Sequence, residues 1–136
     1  MPTTSPTTDN GRLIASMYEA FGRGDVPYVV ERIADPVEWI ETDADIPTRG
    51  TYRTPQDVVQ HVFAAIGEHF ESFELRPELW IEHGDDVVVT GRVAAVTRTG
   101  SKLDSPFAHV FTVRAGKVVR NDNHHDTALW SAALSG

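Results

Sequence analysis

His109, Glu41 and the run Asn121-Asp122-Asn123-His124-His125-Asp126 carry the side chains of this sequence best suited to moving a proton. An imidazole changes charge near neutral pH, which makes His109 a candidate general acid or base. These residues lie in stretches of alternating apolar character, the signature of strands, so the face each one takes decides which of them meet. A slip of one residue exchanges the faces. If Phe107, His109, Phe111 and Val113 share an inner face with Val119, Asn121, Asn123 and His125, then Arg120, Asp122 and His124 stand in solvent. The opposite phase buries Arg120 and Asp122, which is costly unless they pair. The expected pocket set is therefore His109, Asn121, Asn123 and His125, with the asparagines orienting a substrate. Its structural counterpart is a buried network that satisfies only itself. Val37, Trp39 and Glu41 alternate with Glu38, Ile40 and Thr42, which leaves Glu41 two readings, a carboxylate base or a solvated residue beside the acidic loop at Asp43 and Asp45. His124-His125-Asp126 does not make a metal site, because strand neighbours point to opposite faces and Asp126 is placed to cap a helix. His61 and His69 read as surface residues.

The elements that must position these groups follow from periodicity and caps. Leu13, Ile14, Met17, Tyr18 and Phe21 fall on one stripe of a helix over Asn10–Arg23. Asp25 caps a short second helix whose apolar face is Tyr28, Val29 and Ile33, and Asp35-Pro36 stops it. Thr54-Pro55-Gln56-Asp57 opens a longer helix running to about His69, with Val58, Val59, Val62, Phe63, Ile66 and Phe70 as its stripe. Glu74–His83, Asp86–Thr97, Phe107–Arg114 and Lys117–His125 read as strands, the last two joined by a turn at Ala115-Gly116. Asp126 caps a final helix over Thr127–Leu134. Helices first and strands after predict an α+β fold, a curved and mostly antiparallel sheet with helices on one face forming a cone with a ligand pocket.

Composition narrows the function classes. A chain of 136 residues with 40% apolar content fits one domain, expected over residues 10–136 after a disordered tail at residues 1–9. No cysteine is present, which excludes disulfides, thiolate nucleophiles and cysteine-ligated metals and fits a cytoplasmic setting. A net charge of -8 argues against nucleic acid and anionic lipid as partners. Met1–Thr8 has neither a basic leader nor an apolar run, and no apolar stretch approaches a membrane span.

Four pieces carry a resemblance: Tyr18-Glu19-Ala20-Phe21-Gly22-Arg23-Gly24-Asp25, Trp39 in the first strand, Tyr52-Arg53-Thr54, and Phe111-Thr112-Val113-Arg114-Ala115-Gly116-Lys117-Val118-Val119 ahead of Asp126. In this order, over Gly11–Trp130, they resemble SnoaL-like proteins of the nuclear transport factor 2-like superfamily, which also holds ketosteroid isomerases and limonene epoxide hydrolases. The resemblance implies the cone fold and a homodimer paired through the outer sheet face, where Val110 and Thr112 stand. It sets Glu41 near the base of the isomerases, while their catalytic tyrosine position falls on Met17, with Tyr18 one place round the helix. It sets Arg92 on the arginine of the epoxide hydrolases, whose two acids become Ala94 and Asn123; the other reading of Arg92 is a side chain snorkelling at the cone's edge. His109 matches the histidine of the SnoaL-type cyclases, whose aspartate becomes Asn123, or Asp122 if the hairpin register slips by one. The implied activity is isomerase, cyclase or lyase-like proton transfer without a cofactor on a small apolar compound. The implied groups are His109 and Glu41 as acid-base residues, and Tyr18, Trp39, Arg92, Phe107, Asn121, Asn123 and His125 against the substrate. A non-catalytic binding or dimerisation module of the same fold is the other reading.

Overall fold

The computed structural model describes residues 2–136. Helix α1 spans Asp9–Gly22, with the Thr8 hydroxyl accepting the Gly11 amide at 3.0 Å as its N-cap. Ile14, Met17 and Ala20 on its inner stripe are buried. Helix α2 (Val26–Glu31) is capped by Asp25, which accepts the Tyr28 amide. Strand β1 (Ile33–Thr42) and the short β2 (Gly50–Tyr52) follow. One helical stretch then runs through α3 (Pro55–Val58), a π-helical turn (Val59–Phe63) and α4 (Ala64–His69), with Thr54 as N-cap. Strands β3 (Phe70–His83), β4 (Asp86–Thr97), β5 (Lys102–Arg114) and β6 (Lys117–His125) lead to α5 (Thr127–Leu134), capped by Asp126.

The six strands form one sheet in the order β2-β1-β6-β5-β4-β3. Every neighbouring pair is antiparallel except β1 and β6. The β5–β6 hairpin turns at Ala115 and Gly116, both with positive φ (52° and 74°), as a two-residue turn matched to sheet twist requires. Curvature comes partly from an irregularity in β3 between Pro77 and Leu79, opposite Gly91. A Cβ at Gly91 would lie 2.1 Å from the Arg76 carbonyl oxygen, so the close approach needs glycine. The core lies between the helices and the concave face, where Val87, Val89, Val93, Val113 and Val118 are wholly buried. No helix among the described residues is long and apolar enough to cross a membrane.

Several boundaries differ from the sequence expectation. Ile33 belongs to β1, not to the face of α2, and Pro36 lies inside β1 instead of stopping an element before it. The β1–β6 pairing is interrupted between Ile33 and Glu38, which accommodates a residue that has no amide to donate. Phe70 starts β3 and does not end the helix. The inward residue of β6 is Val118, not Val119, because the register shifts between Thr112 and Val113. Met1 lies outside the described residues. The segment after it, expected as a tail, lies along β3: Thr3 exchanges backbone hydrogen bonds with Trp80 at 2.9 and 2.8 Å, and Glu82 accepts the Thr7 and Thr8 amides.

Candidate functional site

The concave face and the helices surround a cavity of about 70 Å³. Ile14, Met17 and Phe21 of α1, Val62, Phe63 and Ile66 of the long helical stretch, and Phe73 and Leu75 of β3 make its walls apolar. Phe63 sits edge-on to Trp39 and tilted against Phe21, with ring centroids 6.2 and 5.4 Å apart. The π-helical turn that carries Val62 and Phe63 thus borders the cavity, a common location for such turns.

The polar groups converge from β1, β5, β6 and α1. Alternation along β1 turns Val37, Trp39 and Glu41 inward, and Glu41 is only 3% exposed. The solvated reading of Glu41 is therefore overturned, because the acidic loop begins only after the strand has carried it under the helices. Its Oε2 accepts the Trp39 indole N–H at 2.7 Å and the Asn123 amide N–H. Its Oε1 has one long contact, 3.4 Å to His125 Nε2. Oε1 is thus the oxygen with lone-pair capacity to spare.

His109 stands directly across from Asn123 in the β5–β6 pairing, on the inner face as expected. It is 5% exposed, its ring 4.3 Å from that of Phe107, and its Nδ1 lies 2.6 Å from the Tyr18 hydroxyl. Burial, with His125 and His124 nearby, holds its imidazole well below the usual value of 6.5. Burial pushes the Tyr18 phenol well above 10. Both groups are therefore neutral at neutral pH, which corrects the expectation that His109 titrates there as a shuttle. Between them they hold one O–H and one N–H. If Tyr18 donates to Nδ1, the imidazole keeps its N–H on Nε2; if Nδ1 donates, the phenol keeps its O–H. Either arrangement leaves the pair one donor beyond their mutual bond.

The structure thus brings Tyr18, Trp39, Glu41, His109, Asn121, Asn123 and His125 to one cavity. It does not bring Arg92 or Phe107. Arg92 is on the outward face of β4, paired with Asp104 at 2.8 Å, because Val87, Val89 and Val93 take the inner positions of that strand. Phe107 faces inward but packs behind His109 without lining the cavity. His124 points out, with a side chain 61% exposed, opposite in sense to His125 at 5%. His61 and His69 border a separate surface groove. Trp130 of α5 is a wall residue the sequence reading missed, its ring tilted against that of His125 with centroids 4.8 Å apart. The helix cap at Asp126, which fixes where α5 turns back over the strand, was the available signal.

Comparison with known proteins agrees with this fold. The family model for the SnoaL-like domain matches residues 14–121. A nuclear transport factor 2-like structure from Burkholderia thailandensis E264 is 32% identical, with 94% of this chain and 98% of that one covered and a TM-score of 0.86. A similar protein of unknown function from Burkholderia pseudomallei K96243 is 26% identical over 96% and 100% of the two chains, with a TM-score of 0.89. TerC, crystallised with polyporic acid, shares the fold at 24% identity, with 95% and 100% covered and a TM-score of 0.87. No curated protein matches the sequence. With the model match spanning residues 14–121, most of the sequence, the chain belongs to the SnoaL-like domain family.

Proposed function

We propose that this chain catalyses cofactor-free proton transfer at carbon on a small apolar carbonyl compound, in the isomerase, cyclase or lyase-like class. The observation that carries the reading is a buried carboxylate with an open oxygen, Glu41 Oε1, sharing an apolar cavity with the neutral Tyr18–His109 donor pair. Glu41 takes the proton from a carbon next to the carbonyl, and the C–H electron pair moves onto the carbonyl oxygen as an enolate. The spare donor of the Tyr18–His109 pair holds that oxygen, and the proton returns from Glu41 to the same carbon or a neighbouring one. Donors aimed at developing charge act strongly where water is excluded. Trp39 and Asn123 orient the carboxylate.

Incubating the protein in D₂O with a panel of cyclic enones and 1,3-diketones, and reading deuterium uptake by NMR, tests this reading. Exchange above the buffer rate is expected for at least one member. Tyr18→Phe is expected to slow that exchange about tenfold or more, since the pair loses either the bond that fixes the imidazole or its spare donor. One observation favours a purely binding pocket, namely that His109 is nearly enclosed and already bonded to Tyr18. Ligand binding without exchange anywhere in the panel would decide for that alternative.

The assembly expected is a symmetric homodimer. Leu79 and Ile81 are 42% and 43% exposed on the outer sheet face, and Ile81 continues across to Val88 and Val110. Pairing one such patch with itself is the commonest way to cover it. Light scattering at micromolar concentration should give twice the chain mass of 15.0 kDa, and Ile81→Glu should return the monomer. A monomeric parent protein counts against the dimer.

A further inference from the structure

The site described above leaves four buried polar atoms without a partner among the described residues: Asn121 Oδ1, Asn123 Oδ1, His125 Nδ1 and Trp130 Nε1. All four residues line the same cavity. Asn121, Asn123 and Trp130 are 1%, 8% and 1% exposed, and the His125 side chain 5%. Leaving such atoms unsatisfied is expensive, and proteins rarely do so without an occupant in view. Three of them follow each other along the inner face of β6 with a period of two residues, so they form a polar rail with a step of roughly 6.6 Å.

We infer that this rail is the subsite for a hydroxyl-bearing edge of the ligand, so that the compound is a neutral apolar molecule with at least one O–H, an alcohol, phenol or enol, set against Asn123. The inference deepens the proposed function and rests on its reading of the cavity as a small-molecule pocket. Asn123 decides the chemistry. Its Nδ2 donates to the Glu41 carboxylate, which fixes the amide orientation, because the reverse would set two oxygens against each other. The open atom is thus an acceptor that only a donor can satisfy. A ketone or ether oxygen at this point leaves it unpaired. A carboxylate does the same and also meets the buried Glu41. An ammonium group supplies donors and is drawn to the Glu41 carboxylate, but leaves the Trp130 indole N–H without an acceptor. A hydroxyl both donates and accepts, so it serves Asn123 and also suits Asn121 and His125 in either orientation or tautomer.

The test is a matched set of naphthalenes titrated calorimetrically into the intact protein: 2-naphthol, its methyl ether 2-methoxynaphthalene, 2-naphthoate, and 2-naphthylmethylammonium. 2-Naphthol is expected to bind about tenfold or more tighter than the ether, as loss of a hydrogen bond to a buried acceptor implies, with the naphthoate weaker than either beside the buried Glu41. Asn123→Leu should erase the advantage of naphthol over the ether, read as the ratio of the two affinities within that variant. If that variant fails to fold, the parent protein's naphthol-to-ether ratio still decides. Equal affinities, a tighter ether or ion, no binding by any of the four, or a naphthol advantage that survives Asn123→Leu overturns the assignment. The exchange assay is independent of this set. Its failure beside a clear naphthol preference would remove the catalytic reading and leave the hydroxyl rail in place.

Discussion

Glu41→Gln is expected to lower the rate of carbon-proton exchange by about 10² to 10⁴ while leaving the fold and ligand affinity nearly unchanged, the loss typical for a positioned acid-base group. The substitution is close to isosteric, and the local hydrogen bonds can be kept. The new amide oxygen can take the place of Oε2 and accept from Trp39 Nε1 and Asn123 Nδ2. The amide N–H then faces His125 Nε2 where Oε1 stood. What disappears is the basic oxygen, since an amide takes up no proton at neutral pH. The split between rate and affinity tests the role. A base lost alone lowers kcat and spares KM, whereas a structural role would damage both together with the thermal transition. Retention of more than about a tenth of the parent rate in a folded Glu41→Gln protein would remove Glu41 from the chemistry and leave the carboxylate as an anchor for Asn123.

The frame that holds Glu41 was legible because its signals are local. Thr54, Asp25 and Asp126 each cap the helix they precede through a bond to an amide three residues on, which a short window of sequence reveals. Alternation set the inner face of β5, and of β6 from Asn121 on, because only that phase keeps Arg120, Asp122 and His124 off the buried face. The same rule, applied to β4, would have turned Arg92 outward, since Val87, Val89 and Val93 occupy the other phase. The family resemblance left Arg92 with two readings, and the strand pattern decides for the outer one. The partners of the site were hidden for a different reason. Asn123 reaches Glu41 across 82 residues and Tyr18 meets His109 across 91, so no local window contains either pair. Glu41 stands next to Asp43 and Asp45, which locally reads as solvent. The bulge beside Val113, which turns Val118 inward in place of Val119, and the π-helical turn at Val59–Phe63 likewise depend on tertiary packing.

His109→Asn is expected to have two separable effects, a fall in exchange rate of about 10² to 10³, as for loss of one donor at a developing oxyanion, and a flatter loss of stability in acid. The first follows from the shorter side chain, which cannot both meet the Tyr18 hydroxyl and present a second donor to the cavity. The second follows from linkage. In the unfolded chain the imidazole has its ordinary value of 6.5, whereas burial lowers it well below that in the folded protein. The unfolded state therefore binds more protons once the pH falls below about 6.5. The stability that neutral His109 contributes is fully present above that pH and declines as pH falls from there towards the depressed folded value. While His109 stays neutral in the fold, the slope approaches about 1.4 kcal/mol per pH unit. Asparagine takes up no proton in this range, so the variant should lack that slope. Urea unfolding of both proteins between pH 7.5 and 5 reads the difference directly, with the carboxylates common to both cancelling to first order. Parallel stability curves would mean that His109 reaches water in the folded state. The Tyr18–His109 pair would then no longer be the neutral, enclosed donor on which enolate stabilisation depends.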